Sequence, residues 1–348
     1  MKVLVIGGTV FQGRAIVAEA LRRGHEVTTF NRGRSAPDVE GVEAVRGDRQ
    51  ATADLERLVN GREWDFVVDV CGFVPRVVAE SARLLSGRAA TYAFVSSISA
   101  VSGYPASVVD ESSPLYECSP DAGPDDGPDG GDYGVLKAGC ERAVEKYFDG
   151  NRLIVVPGLI LGPHENVGRL PTWLRRVHRG GRFVAPGDPG RPLQLIDARD
   201  IAIFTLDQAE RGVDDRFLLT GPPGGTTFGD LLADCAAVTG STAEPVWMDD
   251  QFLLDHGVQP WLELPLWAPE QPDWTFVWQI STAKAQAAGL RCRPITETVR
   301  DTWAWLRDLG VPDKLIRYRD TVPEPGIDPG KESRILAAWD ARAREGGR

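Results

Sequence analysis

A tyrosine and a lysine four residues apart form the first pair in this sequence that could carry out chemistry. Tyr133 and Lys137 begin and end the segment Tyr-Gly-Val-Leu-Lys, and one helical turn brings such positions onto the same face. A tyrosine hydroxyl has an ordinary pKa of about 10, so proton transfer near neutral pH requires a lower value. A nearby ammonium group stabilises the phenolate and acts in that direction. Alone, such a pair is also common on helix surfaces, but after a glycine turn and a serine-rich strand end it predicts general acid and base catalysis.

The elements that must position this pair are predicted from hydrophobic periodicity. Short β-branched runs alternate with amphipathic stretches in the first half of the chain, as in β-α-β units. The predicted strands are Val3–Ile6, Glu26–Phe30, Phe66–Val70, Tyr92–Ser96 and Leu153–Val156, and the predicted helices are Arg14–Arg23, Ala53–Val59 and Arg76–Leu85. Strands that are almost entirely apolar fit a parallel sheet with both faces covered. The pattern predicts an α/β fold with a doubly wound parallel sheet.

A glycine-rich turn joins the first predicted strand to the first predicted helix. It reads Gly7-Gly8-Thr9-Val10-Phe11-Gln12-Gly13. Such a turn aims backbone amides at a pyrophosphate and places the anion at the positive end of a helix, so it predicts a dinucleotide-binding site. Val10 occupies the middle position of a G-x-x-G-x-x-G pattern. Because a β-branched residue does not readily adopt a positive φ, we expect Val10 to limit the approach of the backbone to the cofactor.

These features together resemble the short-chain dehydrogenase/reductase superfamily, specifically its extended and atypical members, which are NAD-dependent epimerase/dehydratase-like. The GGT-x-F-x-G turn, the FVSSISA segment and the Y-x-x-x-K motif carry the resemblance, which covers residues 1–310. It implies a Rossmann domain in which Tyr133 exchanges a proton, Lys137 holds the cofactor ribose and Ser97 orients the reacting oxygen. Ser96 and Ser99 are alternatives to Ser97, because the register at this strand end is open.

The resemblance also implies a nicotinamide dinucleotide on the glycine turn. NAD-binding folds usually place a carboxylate on the ribose 2′-hydroxyl after the second strand, where this chain has Asn31, Arg32 and Arg34. Two guanidinium groups suit a 2′-phosphate, so the sequence favours NADP over NAD, the alternative being that both arginines point into solvent. The implied cofactor-binding residues are Gly7, Gly8, Thr9, Val10, Phe11, Gly13, Asn31, Arg32, Arg34, Asp48, Cys71, Gly72, Ser96, Pro157 and Leu159.

The resemblance gives the reaction and the region that holds substrate. The implied substrate-side residues are Ser99, His164, Asn166, Arg169 and Trp173. The reaction interconverts a secondary alcohol and a ketone on a sugar, sugar nucleotide or similar polyhydroxylated small molecule, with net oxidoreduction slightly favoured. The alternatives are an epimerase that keeps NAD tightly bound and forms a transient ketone, and a non-catalytic nucleotide-binding or RNA-associated protein. Ile98 and Ser99 stand where sugar-nucleotide 4,6-dehydratases carry an Asp-Glu pair, which argues against dehydration.

The length of 348 residues predicts two lobes, at roughly 100–200 residues per domain. We expect a dinucleotide-binding Rossmann domain over residues 1–165, to which part of 190–220 returns. A smaller C-terminal α/β lobe that binds substrate is expected mainly over residues 166–320, followed by a tail over 321–348. The Rossmann helices that pair in this family imply a homodimer.

Charge and composition limit the classes of partner. The net charge of −11 argues against a nucleic-acid partner, because it repels a phosphate backbone. The apolar run at the N-terminus is too short for a signal peptide or a membrane span, so we expect a cytoplasmic protein with no membrane partner. The four histidines, His25, His164, His178 and His256, lack metal-binding spacing, so no metal is predicted. The 38 glycines and 25 prolines, with more arginine than lysine, are typical of a high-GC bacterium.

Overall fold

The structure, a computed structural model, describes residues 1–126, 131–313 and 325–346. Its strands are β1 (Lys2–Ile6), β2 (Glu26–Asn31), β3 (Glu43–Arg46), β4 (Trp64–Asp69), β5 (Ala89–Val95), β6 (Asn151–Pro157), β7 (Leu159–Leu161), β8 (Arg182–Pro186), β9 (Pro192–Leu193), β10 (Leu195–Asp197), β11 (Asp215–Leu219), β12 (Thr226–Thr227) and β13 (Glu244–Met248). Its helices are α1 (Phe11–Arg22), α2 (Thr52–Val59), α3 (Pro75–Leu85), α4 (Tyr133–Tyr147), α5 (Arg169–His178), α6 (Ala198–Glu210), α7 (Phe228–Thr239), α8 (Asp250–Asp255), α9 (Ala283–Ala287), α10 (Ile295–Asp308) and α11 (Pro329–Gly346). A 3-10 turn covers Ile98–Ala100.

The described residues form two compact units, and the first contains a seven-stranded parallel sheet in the order β11-β6-β5-β4-β1-β2-β3. Ile6 at the end of β1 pairs with Phe30 of β2 on one side and with Asp69 of β4 on the other. The strand order therefore reverses at β1, which makes the crevice at the carboxyl ends of β1 and β4 the topological switch point of the sheet. The predicted doubly wound Rossmann fold is confirmed.

Alternation along the strands divides the side chains of the first unit between two cores. Leu4 and Ile6 of β1 lie in a core with residues of α2, α3 and α4. Val3 and Val5 face the opposite way and lie in a core with residues of α1 and α6. All four are buried, as expected for a parallel sheet covered on both faces. With both faces covered, the carboxyl ends of the strands are left to bind ligands.

Three separate segments build the first unit: Met1–Ile160, Leu195–Gly221 and Gln279–Cys292. The second segment supplies α6 and the edge strand β11. The third segment falls in the part of the chain that the sequence assigns to the substrate lobe, yet its Ile280 and Ala285 enter the two cores of the first unit.

The second unit comprises the segments Leu161–Gln194, Pro222–Trp278 and Arg293–Arg348. In it β8 pairs with β13 in parallel and β9 pairs with β12 in antiparallel fashion, while α7 packs against α5 and α10. Of the predicted tail over residues 321–348, positions 321–324, 347 and 348 lie outside the described residues, and Pro329–Gly346 form α11.

Candidate active site

Six strands of the first unit end beside residues that the sequence assigns to cofactor or catalysis. Because all six run parallel, their carboxyl ends share one edge of the sheet. The glycine turn follows β1, Asn31 ends β2, Asp48 follows β3, Cys71 and Gly72 follow β4, Ser96 and Ser97 follow β5, and Pro157 ends β6. The structure thus brings these candidates to the edge at which open α/β sheets bind their ligands.

Close packing requires glycine at three positions of the turn. Gly7 and Gly8 have φ values of +110° and +97°. A Cβ atom on Gly7 would lie 2.7 Å from the Val70 side chain, and one on Gly13 would lie 2.8 Å from the backbone nitrogen of Gly8. These contacts are shorter than carbon atoms tolerate, so the turn can close against β4 only without side chains at these positions.

The expected restriction at Val10 does not arise from its backbone conformation. Val10 is the N-cap of α1 with φ −130° and ψ 152°, an extended conformation that β-branched residues adopt readily. The positive φ falls on the next residue, Phe11, at +37°. The turn therefore accommodates valine without strain at Val10 itself.

The geometry of the turn fits the pyrophosphate of a dinucleotide. Among the described residues, the backbone amides of Phe11, Gln12 and Gly13 have no hydrogen-bond acceptor, as expected for the first turn of a helix. These amides and the positive end of the α1 dipole favour an anion. The glycine cradle and the open amides are thus the observations that support a dinucleotide at this place.

The end of β2 carries a group of linked polar side chains. Asn31 Nδ2 donates to Asp38 Oδ1 at 3.0 Å, and Arg46 Nη1 donates to Asn31 Oδ1 at 2.8 Å. Arg46 also forms an ion pair with Asp38 and holds the pKa of that carboxyl below its ordinary value. Arg32 and Arg34 are exposed, and no ion pair engages either guanidinium within the described residues. The two arginines therefore remain open to an anionic ligand.

A buried ion pair supports the strand ends next to the switch point. Arg49 donates to both carboxylate oxygens of Asp69, at 2.6 and 2.8 Å, and Tyr92 donates to the same carboxylate at 2.8 Å. Burial opposes ionisation of Asp69, yet Arg49 keeps the pKa of this carboxyl below its ordinary value. The backbone amide of Cys71 also donates to Asp69, at 3.1 Å, which fixes the chain just before Gly72. Asp48 instead accepts from the backbone amide of Gln50 at 3.0 Å.

Tyr133 is the first residue of α4. Asp132 caps this helix by accepting from the amides of Gly134 and Val135 at 2.8 and 3.2 Å. A Cβ atom on Gly134 would lie only 2.1 Å from the carbonyl oxygen of Ser99, so the helix start lies directly against the 3-10 turn after β5. The Tyr133 side chain is 44% exposed, and its hydroxyl has no hydrogen-bond partner within the described residues.

Lys137 is buried one turn further along α4, with 2% exposure. Its Nζ donates to the carbonyl oxygen of Val95 at 2.8 Å, which ties the helix to the end of β5. The ammonium group also lies 5.1 Å from the ring centre of Phe73 and 4.8 Å from that of Phe94. These aromatic faces stabilise a buried cation. Phe73 contacts Tyr133 as well, at 6.4 Å between ring centres, so one ring borders both side chains.

The structure separates the three serines. Ser97 caps the 3-10 turn, with its Oγ accepting from the amide of Ser99 at 3.2 Å, and both residues are half-buried. Ser96 is buried and donates to Glu141, whose other carboxylate oxygen accepts from Arg216 at 2.8 Å. The hydroxyl of Ser96 is therefore engaged in a buried network, whereas Ser97 and Ser99 keep access to the edge of the sheet.

Two residues of this site, Phe73 and Glu141, are not among those that the sequence motifs predict. Phe73 gave no signal beyond a single aromatic residue after a strand. Glu141 did give one, because it stands four residues after Lys137 and eight after Tyr133 on the same face of α4. A carboxylate on a helix face that is otherwise buried requires a cationic partner, and Arg216 supplies it.

Four substrate-side candidates lie in the second unit, and one of them is in its core. Trp173 is 2% exposed, donates from Nε1 to the carbonyl oxygen of Pro265 at 2.8 Å and packs edge-on against Phe228. The expectation that Trp173 contacts substrate is therefore corrected. Trp173 lies on the buried face of the amphipathic helix α5 and packs in the core of the second unit.

The other three candidates lie around the start of α5, and the carboxylate of Glu165 lies between them in the chain. His164, Asn166 and Arg169 are half-buried, and the His164 ring lies against Trp305 at 5.3 Å between centres. Glu165 is fully buried and accepts from the amides of Arg169 and Leu170 at 2.7 and 3.2 Å. Burial raises its pKa to about 7, although Arg169 and the backbone amides act in the opposite direction. Leu159, in the first unit, is half-buried as well.

No helix within the described residues is long and apolar enough to cross a membrane. Nor does that part of the chain bring three histidine, cysteine, aspartate or glutamate side chains together as a metal site.

Comparison with known proteins agrees with this geometry. The model of a family described as NAD dependent epimerase/dehydratase matches residues 3–215. No curated protein sequence matches the chain significantly. A Thermotoga maritima UDP-glucose 4-epimerase with UDP-glucose is similar in structure, with a TM-score of 0.66 and 17% identity over 89% of this chain and 99% of that one.

Two further solved structures are similar to the same extent. A Thermus thermophilus UDP-glucose 4-epimerase in complex with NAD has a TM-score of 0.63 and 19% identity over 88% of this chain and 99% of that one. A Bacillus cereus UDP-glucuronic acid 4-epimerase in complex with NAD has a TM-score of 0.64 and 14% identity over 89% and 99%. At such identities the likeness shows the fold.

Proposed function

The chain belongs to the NAD dependent epimerase/dehydratase family, and on this basis we propose that it oxidises a secondary alcohol of a sugar nucleotide reversibly, with epimerisation as the net reaction. The sequence by itself slightly favours net oxidoreduction. Family membership and the activities of the similar structures support epimerisation instead, because these relatives are sugar-nucleotide 4-epimerases. Both reactions share the same first step, in which the carbinol carbon loses a hydride and its oxygen loses a proton.

One observation carries this proposal. The close approach of Gly134 to Ser99 brings the start of α4 against the end of β5, at the same sheet edge as the glycine turn. A proton-transferring tyrosine, a buried lysine and a serine hydroxyl are thereby available where a dinucleotide would end. The bound nicotinamide would supply the hydride acceptor and donor.

In this proposal the chain's own residues manage the proton and the oxygen. Tyr133, as the phenolate, takes the proton of the carbinol hydroxyl on Oη and returns it when the ketone is reduced. Ser97 Oγ hydrogen-bonds the same oxygen, and Ser99 is the alternative for this role. Lys137 Nζ donates one hydrogen to the carbonyl oxygen of Val95. Its other two hydrogens can then be directed toward the Tyr133 phenolate and a ribose hydroxyl of the cofactor. Phe73 and Phe94 exclude water from this ammonium group.

The test uses UDP-glucose deuterated at C4, with product analysis by NMR. We expect an epimer that keeps its deuterium, because the hydride returns to the carbon that lost it. Tyr133→Phe should abolish turnover and leave nucleotide affinity nearly unchanged. The matched control is Tyr147→Phe at the other end of α4, whose hydroxyl donates to Asp121 at 2.6 Å and should be dispensable for turnover. Full turnover by Tyr133→Phe would refute the mechanism.

A second candidate is net oxidoreduction with NADP, and the exposed Arg32 and Arg34 favour it. Asp38 is neutralised by Arg46, so the two open guanidinium groups leave the end of β2 positive and suited to a 2′-phosphate. A cofactor released after each turnover would then carry the deuterium away. Mass spectrometry of nucleotide released from the denatured protein separates the two. Retained NAD supports the epimerase, whereas empty protein that prefers NADPH over NADH in titration supports the oxidoreductase.

The non-catalytic alternative predicts a different result in the same experiments. Such a protein would turn over no deuterated substrate, and Tyr133→Phe would change nothing measurable. Localisation in the cytoplasm, absence of a nucleic-acid partner and a homodimeric state remain predictions of the sequence.

A further inference from the structure

Gln12, the second residue of α1, carries a buried side chain with no partner. Its exposure is 8%, and both Nε2 and Oε1 are buried without a hydrogen bond. Within the described residues, it is the one side chain whose donor and acceptor are both in this state. Buried polar groups in native proteins are almost always hydrogen-bonded, because desolvation without a partner is costly. An orphaned carboxamide therefore indicates a partner that binds from outside the chain.

The helix geometry gives the direction of this side chain. Gln12 precedes Ile16 by one turn, and Ile16 is fully buried in the core between α1 and the sheet. Positions i and i+4 share a helix face, so Gln12 lies on the sheet side of α1. Helical side chains tilt toward the N-terminus of their helix. The carboxamide therefore projects toward the carboxyl ends of β1 and β4, at the switch point.

We propose that Gln12 is a cofactor-contacting residue whose carboxamide binds the pyrophosphate and the adjoining ribose of the dinucleotide. This inference rests on the proposed function. Its Nε2 donates to a pyrophosphate oxygen, beside the open amides of Phe11 and Gly13, and its Oε1 accepts from a hydroxyl of the adjoining ribose. The cofactor thereby satisfies both orphaned atoms. In the empty protein the same carboxamide is destabilising, so Gln12 trades stability of the apo form for affinity.

This trade makes the test specific. Gln12→Met keeps the length of the side chain and removes the two groups that could hydrogen-bond the cofactor. We expect the melting temperature of the apo protein to rise by about 2–4 °C and the Kd for NADH or NADPH to rise about tenfold. A merely structural glutamine would lower the melting temperature and leave the Kd unchanged.

Gln208→Met is the matched control. Gln208 is equally buried, at 3%, but its Nε2 donates to the carbonyl oxygen of Ala288 at 3.2 Å. We expect this variant to melt at a lower temperature than the wild type and to bind the dinucleotide with unchanged affinity. The opposite signs of the two melting shifts separate an orphaned carboxamide from a satisfied one.

Titration with ADP-ribose, which contains the pyrophosphate and lacks nicotinamide, locates the contact. We expect the same tenfold loss with this probe, and a loss confined to NADH would overturn the pyrophosphate assignment. Gln12→Glu is the second variant, in which a carboxylate of the same size should weaken binding further by repelling the anion. Unchanged affinity in both Gln12 variants would overturn the inference while the proposed function stands. Failure of the wild type to bind any dinucleotide would instead remove the proposed function and the inference with it.

Discussion

Gly134→Ala tests the contact that brings α4 to the end of β5. The added Cβ atom would lie 2.1 Å from the carbonyl oxygen of Ser99 and 3.0 Å from its carbonyl carbon. Both atoms are backbone, so no side chain can rotate away to relieve the overlap. Since Cβ contacts under 3.0 Å essentially do not occur, helix and turn must separate by about 0.9 Å, the difference between 3.0 and 2.1 Å.

The magnitude follows from two opposed effects. Overpacking of this kind costs about 1–3 kcal/mol, whereas alanine in a helix gains about 1 kcal/mol over glycine. We expect the free energy of unfolding to fall by up to about 2 kcal/mol. Activity should suffer more, because a displacement of about 1 Å between reacting groups costs about 100-fold in rate. The separation moves Tyr133 away from Ser97, so kcat/KM should fall by about that factor.

Urea unfolding and steady-state kinetics measure the two quantities, and Gly330→Ala is the matched control. Gly330 is also the second residue of its helix, α11, but a Cβ atom there would meet only the side-chain atoms Asp328 Oδ1 at 3.2 Å and Arg334 Nη1 at 3.5 Å. This variant should gain about 0.5–1 kcal/mol and keep full activity. If Gly134→Ala were as stable and as active as Gly330→Ala, the close approach would not position the catalytic residues.

Two further predictions concern buried carboxyl groups. Glu141→Gln leaves the Arg216 guanidinium without its counter-charge. We expect the free energy of unfolding, measured in urea, to fall by about 3–5 kcal/mol. A fall of less than about 1 kcal/mol would mean that water solvates the cation in place of Glu141. Because burial raises the pKa of Glu165 to about 7, its contribution to stability is fully present below its ordinary pKa of 4.5 and is lost as pH rises through 7. At about 1.4 kcal/mol per pKa unit, the free energy of unfolding of the wild type should fall by about 3 kcal/mol between pH 4.5 and 7 relative to that of Glu165→Gln. Parallel plots of unfolding free energy against pH for the two proteins would contradict this prediction.

Short sequence patterns predict the elements whose residues are neighbours in the chain. The first strand, the glycine turn and the first helix are consecutive in the chain, so periodicity and glycine spacing were sufficient to identify them. The same holds for Tyr133 and Lys137, which one helical turn places on a common face. Residues of this kind owe their positions to neighbours within about one turn.

Contacts distant in sequence decided what the sequence left open or misassigned. The sequence does not show which of Ser96, Ser97 and Ser99 faces the substrate. The structure removes Ser96 from this choice, because its hydroxyl donates to Glu141, 45 residues later. The family resemblance implies a substrate contact for Trp173, whereas its hydrogen-bond partner in the structure, Pro265, lies 92 residues away. Side-chain burial depends on such pairings, which no short motif contains.

The three-segment construction of the first unit has a consequence for synthesis on the ribosome. Its sheet lacks the edge strand β11 until residue 219 has emerged, and its cores lack Ile280 and Ala285 until the third segment arrives. At about 5–20 residues per second, the interval from residue 160 to residue 292 lasts on the order of 10 s. Until β11 has emerged, the edge of β6 that faces away from β5 has no partner strand, and β6 carries apolar residues on both faces. We therefore expect the nascent chain to expose an edge strand that favours aggregation for longer than a chain whose sheet is complete in a single segment.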